Sequence, residues 1–306
     1  MNPKILVVYY SQSGQLREIL DSLLQDIHPQ CEIDFHQIQP EQPFPFPWTA
    51  HTFFDCMPES VLQIAEPIQP LHIQHKDYDL VILGYQPWFL SPSIPFNSFL
   101  QSPQAQILQG KQVLTVIGSR NMWLNAQEKT KIALHNLGAT LCGNIVLFDR
   151  NPNLLSVLSI VRWSFKGQKE ASRFLPAAGV QMQDIAACQR LGPTILQTIQ
   201  NHQFSELQEK LLALQAVELK SALIVLEKRA IKNFKKFSKF IKEKGARGDT
   251  DRIPRVRLFQ RLLFVGVFIL SPISSLTASL SSLINKKKLA KEAEYFKNIA
   301  YKENAI

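Results

Sequence analysis

The sequence has few of the residues that build cysteine-based sites. Its 306 residues include only four cysteines, scattered along the chain, with no CxxC pair and no His/Cys spacing typical of a metal site. We therefore expect free, structural thiols in a reducing compartment and no bound metal. The N-terminal apolar run is too short for a signal peptide and lacks a small-residue cleavage site, which predicts a cytoplasmic protein.

Several catalytic motifs are also missing. The chain contains no GxSxG, no P-loop lysine motif and no GxGxxG, and its seven histidines form no ligand set. These absences argue against a Ser/His/Asp hydrolase. What the chain does contain is 45% apolar residues, enough for a full-sized core, so a largely disordered chain is excluded.

Charge is distributed unevenly along the chain. The formal net charge is +9, but residues 1–150 contain 8 basic and 13 acidic residues, whereas residues 151–306 contain 26 basic and 12 acidic residues. Length alone predicts about two domains. A mildly acidic half therefore joins a strongly basic half, and we expect the two halves to meet different partners.

The first half alternates apolar, strand-like runs with helix-like periodicity. Strands are predicted over 5–9, 31–38, 80–84, 113–117 and 140–148. Helices are predicted after the first strand and over about 122–137, and the proline-rich stretch 39–48 is predicted to be a loop. Repeated strand–turn–helix units are typical of an open, doubly wound parallel sheet, whose ligands bind at the carboxyl ends of the strands.

Three loops at those strand ends are candidates for ligand binding. In the first, Ser11, Ser13 and Gly14 join a buried strand to a helix, so hydroxyls, backbone N–H groups and the positive helix end would wrap a phosphate. An ordinary βα turn with a serine N-cap is the alternative. The second loop, Pro87–Leu90, carries Trp88 and Phe89, which suit a flat ring or the packing of the sheet edge.

The third loop spans Gly118–Asn121 and joins a strand to a helix. Gly118 lets the chain turn, Ser119 or Asn121 is expected to cap the helix, and backbone N–H groups are expected to face a ligand. Arg120 is the one charged side chain in the three loops. It would hold an anion or stabilise charge on a reduced ring, or else form a surface salt bridge.

The first loop, Val7-Val8-Tyr9-Tyr10-Ser11-Gln12-Ser13-Gly14, resembles the flavodoxin phosphate loop, although Leu16 stands where flavodoxins carry Thr. The three loops together are similar to a subgroup associated with dialkylresorcinol biosynthesis. The resemblance implies bound FMN, with NAD(P)H as a candidate electron donor. Arg120 is expected to stabilise charge near the ring, and because the loops offer no evident general base, Tyr85 or a water molecule is the candidate proton acceptor. The implied cofactor-binding residues are Ser11, Gln12, Ser13, Gly14, Gln15, Leu16, Pro87, Trp88, Phe89, Leu90, Gly118, Ser119, Arg120 and Asn121.

The second half predicts a long helix over 204–244 and an uncharged run over 262–285. Between Lys228 and Arg261 there are 13 basic and three acidic residues, interleaved with phenylalanines at helical spacing. Nucleic acid is not expected because no recognition motif accompanies this helix, and an anionic membrane surface fits better. The uncharged run is interpreted as a monotopic insertion, a membrane span, or a buried core helix or oligomer contact.

The sequence thus predicts a flavodoxin-like α/β domain over 1–200, with an insertion near 151–180, and a basic helical region over 201–306. The favoured function is an FMN-dependent oxidoreductase at the cytoplasmic membrane face that acts on a lipophilic substrate. The resemblance implies the aromatising step of dialkylresorcinol biosynthesis, with a ketosynthase or redox partner. A membrane-tethered electron carrier and a flavin-free scaffold are the alternatives.

Overall fold

The chain folds around one five-stranded parallel sheet with the strand order β2-β1-β3-β6-β7. The computed structural model describes residues 2–270, 277 and 285–302. The sheet strands are β1 (Lys4–Tyr9), β2 (Glu32–Gln37), β3 (Leu80–Tyr85), β6 (Gln112–Ser119) and β7 (Thr140–Phe148). A two-stranded hairpin, β4 (Pro87–Trp88) and β5 (Ser91–Pro92), follows β3. The predicted doubly wound α/β fold is confirmed.

Helices cover both faces of the sheet, as its two-sided apolar strands require. The helices of the first half are α1 (Gln15–Leu24), α2 (Ala50–Asp55), α3 (Met57–Leu62), α4 (Ile94–Gln101) and α5 (Leu124–Asn136). Those of the second half are α6 (Asn153–Lys166), α7 (Met182–Ala187), α8 (Gly192–Asn201), α9 (Leu207–Ala213), α10 (Ser221–Lys242), α11 (Ile253–Phe264) and α12 (Lys286–Lys297). The four cysteines lie buried among these elements as free thiols.

The long helix expected over 204–244 is instead two helices, α9 and α10, and this prediction was wrong. Leu211 of α9 packs in the core on one sheet face, whereas Ile224 of α10 packs on the other. The chain crosses the edge of β7 between them, where the Ala216 carbonyl accepts a hydrogen bond from Val146 N at 2.9 Å. The break is thus imposed by tertiary packing, because no glycine or proline marks it in the sequence.

Helices α10 and α11 dock on α2 and α3 of the first half. Phe234 and Phe237 of α10 contact the ring of Phe259 on α11 at 5.7 and 5.5 Å, and Phe54 of α2 contacts Phe259 at 6.1 Å. Ile241 is fully buried in the same cluster. The phenylalanine-rich face that the sequence assigned to lipid is therefore occupied by protein.

Buried ion pairs accompany this docking. Arg252, just before α11, is 0% exposed and makes a two-pronged contact with Glu59 of α3 at 2.8 and 3.0 Å. Its Nε lies 2.9 Å from Asp55 Oδ1. Arg247 pairs with Glu66 and Lys242 with Glu59. Part of the basic excess of the second half thus neutralises carboxylates of the first.

The chain returns to the main body in α12, where Leu289 and Phe296 are buried in the core that includes β3 and β6. The Tyr295 hydroxyl donates to Glu128 of α5 at 2.7 Å. Within the described residues, no helix is long and apolar enough to cross a membrane. Most of the uncharged run assigned to 262–285, namely 271–276 and 278–284, lies outside those residues.

Candidate functional site

The candidate site is the carboxyl edge of the sheet, formed by the loops that follow β1, β3 and β6. Strand β1 lies between β2 and β3, so the chain winds in opposite directions from it, and such a switch point opens a crevice for ligands. Gly84 makes the close approach possible, because a Cβ there would lie 2.9 Å from Tyr9 Cβ. The three loops singled out from the sequence all lie at this edge.

The first loop presents unpaired donors at the start of α1. Gly14 is exposed, has φ 86° in the left-handed region, and has open space where a Cβ would stand. Among the described residues, nothing accepts a hydrogen bond from the backbone N–H of Ser13 or Gly14. Free N–H groups at a helix N-terminus are the physical requirement of a phosphate site, so the loop fits a phosphate.

Other residues of this loop serve the structure. The Ser11 hydroxyl accepts a hydrogen bond from Leu16 N at 3.3 Å. The buried Gln15 amide pairs with the backbone of Val180 through two 2.9 Å hydrogen bonds, and the Leu16 side chain lies in the core. Gln15 and Leu16 can therefore offer a ligand only backbone groups.

The second loop is a tight hairpin that holds an aromatic cluster. Phe89 and Leu90 occupy its turn with φ of 47° and 63°, a conformation that costs a branched or bulky side chain energy. Pro87 and Trp88 form its first strand, and the Trp88 ring lies 5.8 Å from that of Tyr10. Aromatic surface therefore lies beside the first loop, at the switch point.

A strap formed by residues 40–48 completes the cluster, a role that was not predicted from the sequence. Phe44 and Trp48 contact Trp88 with ring centroids at 5.0 and 5.4 Å. Gln12 Nε2 donates to the carbonyls of Phe44 and Pro45 at 3.1 and 3.0 Å, which ties the strap to the first loop. The alternation of proline with aromatic residues was the available signal, because exposed loops seldom carry so many rings.

The third loop carries a partly buried cation. Arg120 Nη1 donates to Asn153 Oδ1 at 2.8 Å, as does Asn121 Nδ2 at 3.1 Å. Burial lowers the pKa of Arg120 to about 10, and the nearby Asp149 carboxylate partly opposes this shift, so the side chain stays charged at neutral pH. No carboxylate of the described residues pairs directly with it. The surface salt bridge considered for Arg120 is therefore not formed there.

Neither Ser119 nor Asn121 caps the following helix, which corrects that expectation. Their buried Oγ and Oδ1 atoms lack partners among the described residues, and α5 starts later, at Leu124. Its first N–H groups are instead met by Glu227 of α10, whose Oε1 accepts from Asn125 N at 2.8 Å. Burial raises the pKa of Glu227 to about 7, although these hydrogen bonds oppose the shift. Gly118, Ser119 and Asn121 therefore lie at the carboxyl edge of the sheet without a capping role.

The side chain of Tyr85 is enclosed in the core of the protein. It is fully buried, stacks on Phe96 at 4.5 Å, and donates its hydroxyl to Gln127 Oε1 at 2.7 Å. Burial also raises the pKa of Tyr85 far above its ordinary value. A proton acceptor needs access to substrate, so Tyr85 does not fit that role.

The similarity of this chain to known proteins lies mainly in its first half. Residues 4–140 match the sequence model of the family described as Flavodoxin, slightly less than half of the chain. This N-terminal part is flavodoxin-like, which agrees with its strand order. No curated protein shows significant sequence similarity to the chain.

Solved structures of flavoproteins share the chain path in part. A flavoprotein in complex with FMN from Lactobacillus acidophilus NCFM is 18% identical, with 47% of this chain and 93% of that chain covered and a TM-score of 0.39. A flavodoxin from the domain Archaea is 14% identical, with 64% and 99% covered and a TM-score of 0.36. A flavodoxin, WrbA-like protein from Agrobacterium tumefaciens is 12% identical, with 65% and 99% covered and a TM-score of 0.36.

Proposed function

We propose that the carboxyl edge of the sheet binds FMN without a covalent bond. The observation that carries this proposal is the first loop, where the free N–H groups of Ser13 and Gly14 meet the N-terminus of α1. The phosphate would lie there, with the Ser11 and Ser13 hydroxyls beside it. The match of residues 4–140 to the flavodoxin family supports the same cofactor.

The other two loops would position the flavin ring. Trp88 and Phe89 offer aromatic faces, and the Gly118–Asn121 loop offers backbone groups and the two unpaired side-chain oxygens. Because Trp88 contacts the 40–48 strap directly, ring binding would require this strap to shift. Arg120 would stabilise negative charge near the ring, since it is partly buried and lacks a carboxylate partner among the described residues.

FMN supplies two-electron transfer when it is bound, and we assign the protein to the oxidoreductases that use it on a lipophilic substrate. In the resorcinol-lipid version, FMN held by the three loops would supply a hydride acceptor for a cyclic diketone made by a ketosynthase partner. The diketone would also lose a proton to water as its ring becomes aromatic, and the redox partner would take the electrons from the reduced flavin. In a second version, NAD(P)H would supply the electrons to the flavin and a quinone would accept them. The resemblance of the three loops supports the first version.

We further place the protein at the cytoplasmic face of a membrane. The support is the excess of exposed basic residues that no described carboxylate neutralises: Lys232, Lys235, Lys236, Lys239, Lys244, Arg257 and Arg261. Juxtamembrane basic clusters are attracted to anionic lipids.

A pair of glycine variants tests the cofactor site. Gly14 and Gly110 both have positive φ, 86° and 71°, and both have open space around a built Cβ. Gly110 lies before β6, at the opposite edge, so Gly110→Ala is a matched control for the backbone strain of Gly14→Ala. We expect the purified protein to take up FMN with its visible flavin spectrum, and Gly14→Ala to weaken binding about tenfold because the left-handed loop must be rebuilt.

Protein that stays colourless after incubation with FMN would overturn the proposal. Equal losses in both variants would place the phosphate elsewhere. For the reaction, rapid oxidation of NAD(P)H with a quinone, or reduction of bound flavin by a cyclic diketone, would support an enzyme. Reoxidation only by a protein redox partner would instead support the electron carrier.

A further inference from the structure

Helix α11 and Val265, the residue directly after it, present an exposed face that combines apolar and basic side chains. Leu258, Leu262 and Val265 are 44%, 44% and 43% exposed, which places them among the most exposed large apolar residues described. Arg257 and Arg261 are exposed beside them. At about 100° per residue, these five positions fall within an arc of about 140° on one side of the helix.

The opposite side of α11 is committed to the protein. Val256 and Phe259 are buried against α10 and α2, and Arg252 holds the start of the helix on Glu59. The exposed face is therefore held in a fixed orientation on the body. We define the α11 ridge as Arg257, Leu258, Arg261, Leu262 and Val265.

The positive charge of the α11 ridge favours an anionic lipid surface as its partner. Residues 253–270 contain no aspartate or glutamate, and neither arginine of the ridge pairs with a described carboxylate. Leucines flanked by unpaired arginines match an interface with apolar chains below and phosphate headgroups above. A second copy of the chain would have to bring carboxylates to the same place, which the positive charge of the second half disfavours.

The described residues on either side of 271–284 lie on the same globular body. Phe264, at the end of α11, contacts Phe54 at 5.9 Å, and Leu289 of α12 is buried in the core beside the sheet. A surface on this body can therefore contact a bilayer from one side.

We propose that the α11 ridge is the surface that binds an anionic lipid bilayer, rather than the phenylalanine face of α10. This inference rests on the membrane part of the proposed function and is independent of the cofactor. Phe54, which touches α11, contacts Phe53 at 5.1 Å, and Phe53 contacts Phe89 of the hairpin at 4.9 Å. Aromatic contacts thus connect the ridge helix to the candidate flavin edge, where a lipophilic substrate would arrive from the bilayer.

Sedimentation of the full chain with vesicles tests this assignment. We expect binding to phosphatidylcholine vesicles that contain phosphatidylglycerol, and little binding to phosphatidylcholine alone. Leu258→Ser with Leu262→Ser, and separately Arg257→Glu with Arg261→Glu, should each raise the lipid concentration for half-binding at least about tenfold. Ile132→Ser is the matched control, because Ile132 is a 38% exposed apolar residue on α5.

Labelling gives a second readout that does not depend on affinity. The four native cysteines are buried, so an environment-sensitive dye would attach selectively to Leu262→Cys or Ile132→Cys. We expect a blue shift with anionic vesicles only at position 262. Wild-type protein that ignores anionic vesicles, ridge variants that bind like wild type, or ridge variants that change only the oligomeric state would overturn the proposal. FMN content measured on the same samples separates this outcome from failure of the cofactor site.

Discussion

The sheet region and the docked helices α10–α11 are held together in different ways. The core strands of the sheet are lined by apolar side chains with no exposure, such as Ile5 and Val81, and the helices over them bury leucine and isoleucine. The α10–α11 unit also buries apolar rings, but it adds charged side chains, above all Arg252 between Asp55 and Glu59. Hydrophobic burial requires only a suitable pattern of apolar residues in the sequence. A buried ion pair requires two particular side chains of opposite charge to meet.

This difference explains why charge was harder to interpret than hydropathy. The basic residues over 228–261 suggested a lipid-facing surface, but they divide between ion pairs within the protein and solvent. An apolar strand is stable only in the core. A lysine or arginine side chain is stable either in an ion pair or in solvent, and only the folded structure shows which of the two it adopts.

The largest expected effect breaks the ionic contact between the regions. Arg252→Met leaves Asp55 and Glu59 buried without their main cation, which should cost about 3–5 kcal/mol in the free energy of unfolding. Urea denaturation followed by circular dichroism measures this loss. Arg257→Met, on the exposed side of the following helix, should change stability by no more than about 0.5 kcal/mol.

A second substitution separates charge pairing from general disruption. Adding Glu59→Met to Arg252→Met removes one of the two orphaned carboxylates and should recover part of the stability, since apolar replacements tolerate burial. Equal stability of Arg252→Met and wild type would show that the ion pairs do not hold the two regions together.

How far the sequence predicts the molecule depends on the same distinction. The five strands and α5 were predicted within a few residues, because continuous apolar runs and turn residues mark them. The three edge loops were found because parallel strands end at one edge. The cap by Glu227, the strap over Trp88 and the break before α10 could not be predicted, because each depends on residues distant in the chain.

The next largest effect concerns Glu227, which joins α10 to the start of α5. Its raised pKa, about 7, means that the folded state binds this proton more tightly than the unfolded chain does. The contribution of Glu227 to the free energy of unfolding is therefore fully present below the ordinary carboxylate pKa. It is lost as the pH rises through about 7. We expect up to about 3 kcal/mol of stability to disappear between about pH 5 and pH 8.

Glu227→Gln tests this assignment, because a neutral amide oxygen can still accept the hydrogen bond from Asn125 N. The variant should lose most of the fall in unfolding free energy over that pH range. Glu209→Gln, at an exposed position on α9, should retain it. An unchanged pH profile in Glu227→Gln would assign the dependence to other groups.

The smallest expected effect concerns Tyr85 in the sheet region, and it distinguishes a structural role of this residue from a catalytic one. Tyr85→Phe removes one buried hydrogen bond to Gln127, which keeps Thr115 as a partner at 3.1 Å, so the loss should be about 1 kcal/mol. Flavin reduction by substrate should stay within about twofold of wild type, whereas loss of a proton acceptor would cost about a hundredfold or more. Stopped-flow reduction beside urea denaturation measures both, with Tyr301→Phe at a surface position as control. A hundredfold drop would return Tyr85 to the reaction despite its burial, and would mean that the strap and the core beneath it open during turnover.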